Sequence, residues 1–168
     1  MRRGVPLSPA PSSGGEGEVL RIAGYAALFD VADGVRDTIR RGAFARTLAR
    51  RGAPLPLLWQ HRAGARIGTV ERVNEDRRGL RVIARIDRPR SRAAALLRAG
   101  AVDGLSFGFR ARGFRRTPAG RVLDEIELLE ISLVTHPLQP RARVHRVEPD
   151  FHAETRRRGG AGAAAKPP

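Results

Sequence analysis

The chain contains no cysteine. That excludes disulfides, thiolate metal sites and a cysteine nucleophile. Aromatic residues are almost as scarce, with six Phe, one Trp and one Tyr in 168 residues, so any core must be built mainly from Leu, Ile, Val and Ala. No apolar run approaches the roughly 18 to 20 residues that a helix needs to cross a bilayer, and no membrane association is expected. The N-terminal Met1–Ser8 stretch is basic at its start but lacks the apolar segment of a secretory signal. A cytoplasmic setting fits. The four histidines, His61, His136, His145 and His152, include no pair three or four residues apart and no HExxH pattern, so no zinc site is expected. Phosphate-loop and dinucleotide patterns are missing as well, and no cofactor is implied.

Lysine is nearly absent too. Of the 32 basic residues only Lys166 is not arginine, against 17 carboxylates, for a net charge of +15. Such a charge attracts polyanions and invites a nucleic-acid reading. The arginines are spread over every segment and are not interleaved with aromatics, so DNA is expected to bind only non-specifically. The arginine bias itself reads as codon composition and suggests a bacterial chromosome as the source.

Residues 1–17 are rich in Pro, Ser and Gly and read as a disordered lead, with a folded domain over 18–147 and a flexible low-complexity tail over 148–168. Within the domain, Val19 to Phe29 reads as a strand in which Gly24 marks a bulge or a close contact. Asp30 to Arg41 reads as irregular, residues 42–49 as a short helix, and Pro54 to His61 as a strand with an edge character set by its prolines. Ile67 to Val73 and Leu80 to Ile86 form a hairpin around Asn74–Gly79. Ser91 to Ala99 reads as a helix capped by Ser91 and stopped at Gly100. Leu105 to Phe114 and Val122 to Thr135, the latter interrupted near Glu127, form a second hairpin. The expectation is a mainly β (α+β) domain, an antiparallel barrel or curled sheet of six or seven strands with two short helices.

The stretch Val102-Asp103-Gly104-Leu105-Ser106-Phe107-Gly108-Phe109 places one serine between glycines in an apolar run. That composition suits a hydroxyl exposed where backbones approach closely. Serine needs a base to act as a nucleophile, and His61 closes the Pro54–His61 strand. The same residues also fit a small side chain at a bend and a surface histidine.

Several short motifs occur together and in order: Gly24-Tyr25-Ala26, Arg41-Gly42-Ala43-Phe44, Leu58-Trp59-Gln60-His61, Ile67-Gly68, Gly79-Leu80, the run from Leu96 to Phe109, and Leu129-Glu130-Ile131-Ser132-Leu133-Val134-Thr135. Over residues 20–145 the chain resembles the prohead maturation proteases of tailed phages with an HK97-type capsid, a family related in fold to the herpesvirus assemblins. The resemblance implies a closed seven-stranded barrel wrapped by helices. It also implies Ser106 as nucleophile, His61 as general base and Glu130 as third member, where assemblins carry a second histidine. Asp124, Glu125, Glu127 and His136 remain alternatives for that third place. Arg141 and Arg143 are the nearest counterparts, at a different spacing, of the assemblin arginine pair that helps bind the oxyanion.

The function so implied is a serine endopeptidase that cleaves the scaffold or delta segment of the major capsid protein, and itself, inside the procapsid in a bacterial cytoplasm. Assemblin-like sites can depend on dimerisation, so a homodimer is allowed. The chain is short for the family, as in compact versions found in prophages and gene transfer agents. The alternatives are a non-enzymatic inner capsid or scaffold component, and a basic nucleic-acid-binding barrel.

Overall fold

A computed structural model describes residues 19–148. The expected lead over residues 1–17 and the tail after Glu148, with His152, lie outside the described residues. Eight strands and two helices follow one another: β1 (Leu20–Leu28), β2 (Asp37–Ile39), α1 (Ala45–Ala49), β3 (Pro56–Trp59), β4 (Arg66–Glu75), β5 (Gly79–Ile86), α2 (Arg92–Arg98), β6 (Gly104–Thr117), β7 (Gly120–Val134) and β8 (Val144–Glu148).

Period-two alternation sets the inner face of the sheet. Leu20 and Ile22 of β1, Leu80, Val82, Ala84 and Ile86 of β5, Val70 of β4 and Leu57 of β3 all point into one buried cluster. In β7 the buried series is Leu123, Ile126, Leu128, Ile131 and Leu133. Its two three-residue steps mark places where the pleat loses phase. The cross-strand register explains them: Asp124 and Leu129 of β7 have no opposite number on β6, and Arg112 of β6 has none on β7. Each is an extra residue in a β-bulge. The expected break near Glu127 is therefore a continuous strand bent by bulges on either side of that residue.

β7 is the strand on which the others depend. β6 runs antiparallel along one edge, while β2 and β3 share the other edge in parallel, β2 against Arg121–Leu123 and β3 against Ile131–Leu133. Between them the β7 backbone would be left unpaired. The segment leading into α1 and the helix itself fill the gap: the Ile126 N–H donates to the Ala43 carbonyl at 2.8 Å, and the Leu128 N–H to Thr47 Oγ1 at 3.2 Å. Buried backbone groups are thus satisfied without a ladder.

From β7 the sheet continues through β3, β4, β5 and β1 to β8. The expected closed barrel does not form. β6 and β8 meet only through the isolated bridge Gly104↔Arg143, with the Leu105 N–H donating to Ala142 O at 2.9 Å and the Val144 N–H to Asp103 O at 2.7 Å. The result is an open half-barrel. β2 and β8 are the strands that the irregular reading of Asp30–Arg41 and of the chain after Pro140 missed. Gly24 of β1 lies against this seam, since a Cβ there would fall 2.2 Å from the Arg143 carbonyl oxygen and 2.8 Å from Leu105 Cδ1. α2 starts as expected, with Ser91 Oγ accepting from the Ala94 N–H at 3.3 Å, and Gly100 ends it at φ +67°.

Phe44, fully buried, packs edge-on against Phe107 with ring centroids 5.4 Å apart and lies 6.4 Å from Phe29. Phe107 is the inward neighbour of Ser106, so this aromatic group sits beneath the serine strand. Phe44→Ala is expected to cost about 3–5 kcal/mol of unfolding free energy, measured by urea denaturation. A loss below about 1 kcal/mol would contradict this placement of the core.

Candidate active site

β3 ends at Trp59 and delivers its continuation away from the sheet in an abrupt turn. Gln60 and His61 both have left-handed backbone conformations, with φ of 53° and 58°. Two successive non-glycine residues in that region cost about 1–3 kcal/mol each and persist only where their surroundings hold them. Here the hold is visible: the Gln60 N–H donates to Leu133 O at 3.0 Å, the Trp59 N–H to Ala65 O at 2.9 Å, and the His61 N–H to Ser132 Oγ at 3.1 Å. His61 is thus not the last residue of a strand reaching a rim, as the sequence suggests. It is the second residue of a strained turn that folds back over β7.

Under that turn lies the outer face of the β6–β7 ribbon. Ser106 is directly opposite Ser132, which is in turn opposite Leu58 of β3, and Glu130 is opposite Gly108. Directly opposed residues share a face, and so do residues two apart. Ser106, Ser132 and Glu130 therefore stand on one face, with Ser106 and Glu130 on the diagonal, where backbone separations are about 7–8 Å. Gly108 makes room for the carboxylate. A Cβ at that position would sit 2.5 Å from Glu130 Oε1 and 2.9 Å from its Cγ.

The imidazole meets this carboxylate directly. His61 Nδ1 lies 2.6 Å from Glu130 Oε1, and Ser132 Oγ donates to Glu130 Oε2 at 2.7 Å. An ionised carboxylate only accepts, so the hydrogen-bond network assigns the proton to Nδ1. Nε2 is then left with its lone pair. The His61 side chain is 44% exposed and the Glu130 side chain 12%, so the carboxylate is sheltered while the imidazole remains reachable. Ser106 is buried, and among the described residues its Oγ forms no hydrogen bond, to His61 or to any other group. In sites without substrate the nucleophile–base contact is commonly loose and tightens on binding.

The alternative third members are engaged elsewhere. Asp124 faces Arg115 at 3.6 Å, Glu125 bonds Arg46 at 2.9 Å, and Glu127 accepts from Arg112 Nε at 2.8 Å. His136 is exposed and, among the described residues, bonds its neighbour Thr135 alone, at 3.1 Å. Among the described residues, no arginine pairs with Glu130, although arginines pair with most of the other carboxylates. Arg141 is exposed. The Arg143 guanidinium bonds Pro140 O at 2.6 Å and Asp103. The backbone of this segment, however, lies against Gly104, two residues before Ser106.

Ser132 is the participant that the sequence reading left out. Fully buried, it holds the His61 backbone with its lone pair and the second Glu130 oxygen with its proton. The signal was available in the spacing of Glu130 and Ser132, which puts both on one face of a strand.

Gly108→Ala is expected to push the Glu130 carboxylate off His61 while leaving the fold intact, because the clash is with the flexible end of a side chain. The imidazole Nδ1–H, shifted downfield in proton NMR by its carboxylate partner, should vanish or move in the variant. An unchanged resonance would contradict the assigned geometry.

Comparison with known proteins agrees with this architecture. Residues 9–157 match the model of the family described as Caudovirus prohead serine protease. The chain is 31% identical over 137 residues to the prohead protease of Enterobacteria phage HK97, covering 77% of this chain and 61% of that protein. The present chain thus spans about three-fifths of the length of that relative. Among solved structures, the varicella-zoster virus protease superposes with a TM-score of 0.54 at 17% identity, covering 76% of this chain and 63% of that one. The bacteriophage T4 capsid assembly protease does so with a TM-score of 0.54 at 16% identity, covering 68% and 80%. These two likenesses concern the fold alone. The extent of the family match settles the affiliation: this chain belongs to the Caudovirus prohead serine protease family.

Proposed function

We propose that this chain is a serine endopeptidase that matures a phage-like procapsid by cleaving the scaffold or delta segment of the major capsid protein, and that it also processes itself. The observation that carries the reading is the 2.6 Å contact between His61 and Glu130, on the same sheet face as Ser106. Family membership supplies the substrate class. The same reading puts the chain inside the procapsid, in a bacterial cytoplasm, as a monomer or a homodimer, with DNA bound only through its overall charge.

The chemistry follows from the residues. Ser106 Oγ attacks the scissile carbonyl as His61 Nε2 takes its proton. Glu130 keeps Nδ1 protonated and stabilises the imidazolium that forms. Ser132 acts as a positioning residue, restraining both the carboxylate and the strained His61 backbone. The imidazolium then protonates the leaving amine, and water activated by the same imidazole releases the acyl group from Ser106. The oxyanion would be held by the backbone N–H of Arg141 or Arg143, since that of Ala142 already donates to Gln139 O at 2.9 Å, and one such donor is worth about 3–4 kcal/mol in comparable sites. The arginine side chains are not needed for this, which suits the engagement of Arg143 with Asp103.

Co-expression with the cognate major capsid protein, followed by intact mass, tests the reading. Wild type should yield a capsid protein shortened at one defined bond, Ser106→Ala none. Glu130→Gln should slow cleavage by up to about 10⁴-fold, as expected when the tautomer is no longer fixed. Equal capsid masses with wild type and Ser106→Ala, under conditions where shells assemble, would instead favour a structural role.

A further inference from the structure

A groove of about 630 Å³ opens between α1 and the edge of β7. Its charged walls are Arg46, Arg50 and Arg51 from α1 and the residues just after it, Arg112 from β6, and Glu125 and Glu127 from β7. These charges are unequally satisfied. Arg46 bonds Glu125 at 2.9 Å, and Arg112 bonds Glu127 at 2.8 Å. Arg50 and Arg51 have no carboxylate partner among the described residues. Arg51 Nε goes further, being the one side-chain polar atom among the described residues that is sealed from solvent with no hydrogen-bond partner. Burial holds its guanidinium below the usual arginine range. A buried, unpaired donor of this kind is costly, and the same side chain lines the groove.

Position relates the groove to the site. Its β7 wall runs from Glu125 to Leu128, four to seven residues along the strand from Ser132, which is level with Ser106. At the usual strand rise that is about 13–23 Å, a length that an extended peptide also covers in about four to seven residues. We infer that the Arg50–Arg51 end of the groove is a remote subsite that binds the carboxylate of an acidic substrate residue about four to seven positions from the scissile bond. This rests on the endopeptidase reading above.

The groove favours a single carboxylate over a nucleic acid. Glu125 and Glu127 line the β7 wall and disfavour a polyphosphate chain that fills the groove, whereas a single carboxylate needs only the arginines that lack a carboxylate partner. Planar guanidinium groups match a carboxylate in geometry as well as charge. The preference would act on substrate selection, through kcat/KM, and leave the proton transfers at Ser106 untouched.

The test uses the full chain and the bond mapped by co-expression with the capsid protein. Peptides spanning that bond are made with each acidic residue four to seven positions away replaced by its amide, and kcat/KM is compared. Wild type should lose about tenfold or more for one Glu-to-Gln or Asp-to-Asn change in that window, the size of a charge-assisted hydrogen bond. Arg51→Gln should accept the paired peptides equally, and Arg51→Lys should restore part of the difference. Because Arg51 is partly buried, thermal melting checks its variants, and the exposed Arg50→Gln should reduce the discrimination without affecting folding. If wild type cuts at the mapped bond but does not discriminate, or if Arg51→Gln and Arg50→Gln discriminate as well as wild type, the subsite is overturned while the protease stands. If a 20-base-pair DNA duplex inhibits wild type and Arg51→Gln relieves that inhibition, the groove is a phosphate site and the inference is again overturned. If Ser106→Ala cleaves like wild type, or no bond is cut in co-expression, the failure lies with the endopeptidase reading, and the subsite falls with it.

Discussion

The contact between His61 and Glu130 is the interaction from which the rest of this structure can be understood. It requires a carboxylate kept from arginine in a chain that carries 31 of them. The fold achieves this by placement. Glu130 stands on the outer face of β7, its side chain over the space that Gly108 leaves empty, its second oxygen taken by Ser132, and its flank roofed by the turn that carries His61. Nearby carboxylates on β7 lack such cover and are paired with arginines. A charge surrounded by imidazole and hydroxyl polarises those groups. The same charge beside a guanidinium would be spent on the pair.

β7 connects this local arrangement to the core. Its inward residues, from Leu123 to Leu133, form the wall against which β1, β4 and β5 pack, and its outward residues hold the site. The bulge at Leu129 lets one strand serve both purposes, because an added residue rephases the pleat immediately before Glu130. The parallel pairing of β3 with β7 then fixes where the strand must end, and so where the left-handed turn begins. Strain at Gln60 and His61 is offset by hydrogen bonds to β7 itself, which makes the histidine's position a property of the sheet and not of a free loop.

Much of this was legible in the sequence, and the parts that were not have physical reasons. Strict alternation from Leu80 to Ile86, the Ser91 cap and the turn residues around Asn74–Gly79 point to their elements because each signal is local. Asp37–Ile39 escaped because three residues carry no periodicity, and its pairing partner lies more than eighty positions away. Val144–Glu148 escaped because its two valines stand three positions apart among His145, Arg146 and Glu148, which gives no period-two alternation. Closure into a barrel was expected from resemblance, and among the described residues a single bridge, Gly104↔Arg143, spans the seam. Ser106, His61 and Glu130 stood out through motif resemblance, whereas the spacing that puts Ser132 on the face of Glu130 names no second partner for it until β3 delivers His61 over β7. Arg51 was one arginine among many until burial singled out its Nε.

The central claim, that Ser106, His61 and Glu130 form one nucleophilic site, is tested most directly by labelling with a fluorophosphonate, which reacts with serines activated by a neighbouring base. The account predicts a single adduct on Ser106 in wild type, abolished by His61→Ala and strongly slowed by Glu130→Gln, in proteins with unchanged melting behaviour. Labelling of a different serine, or an adduct on Ser106 that forms equally fast without His61, would contradict it.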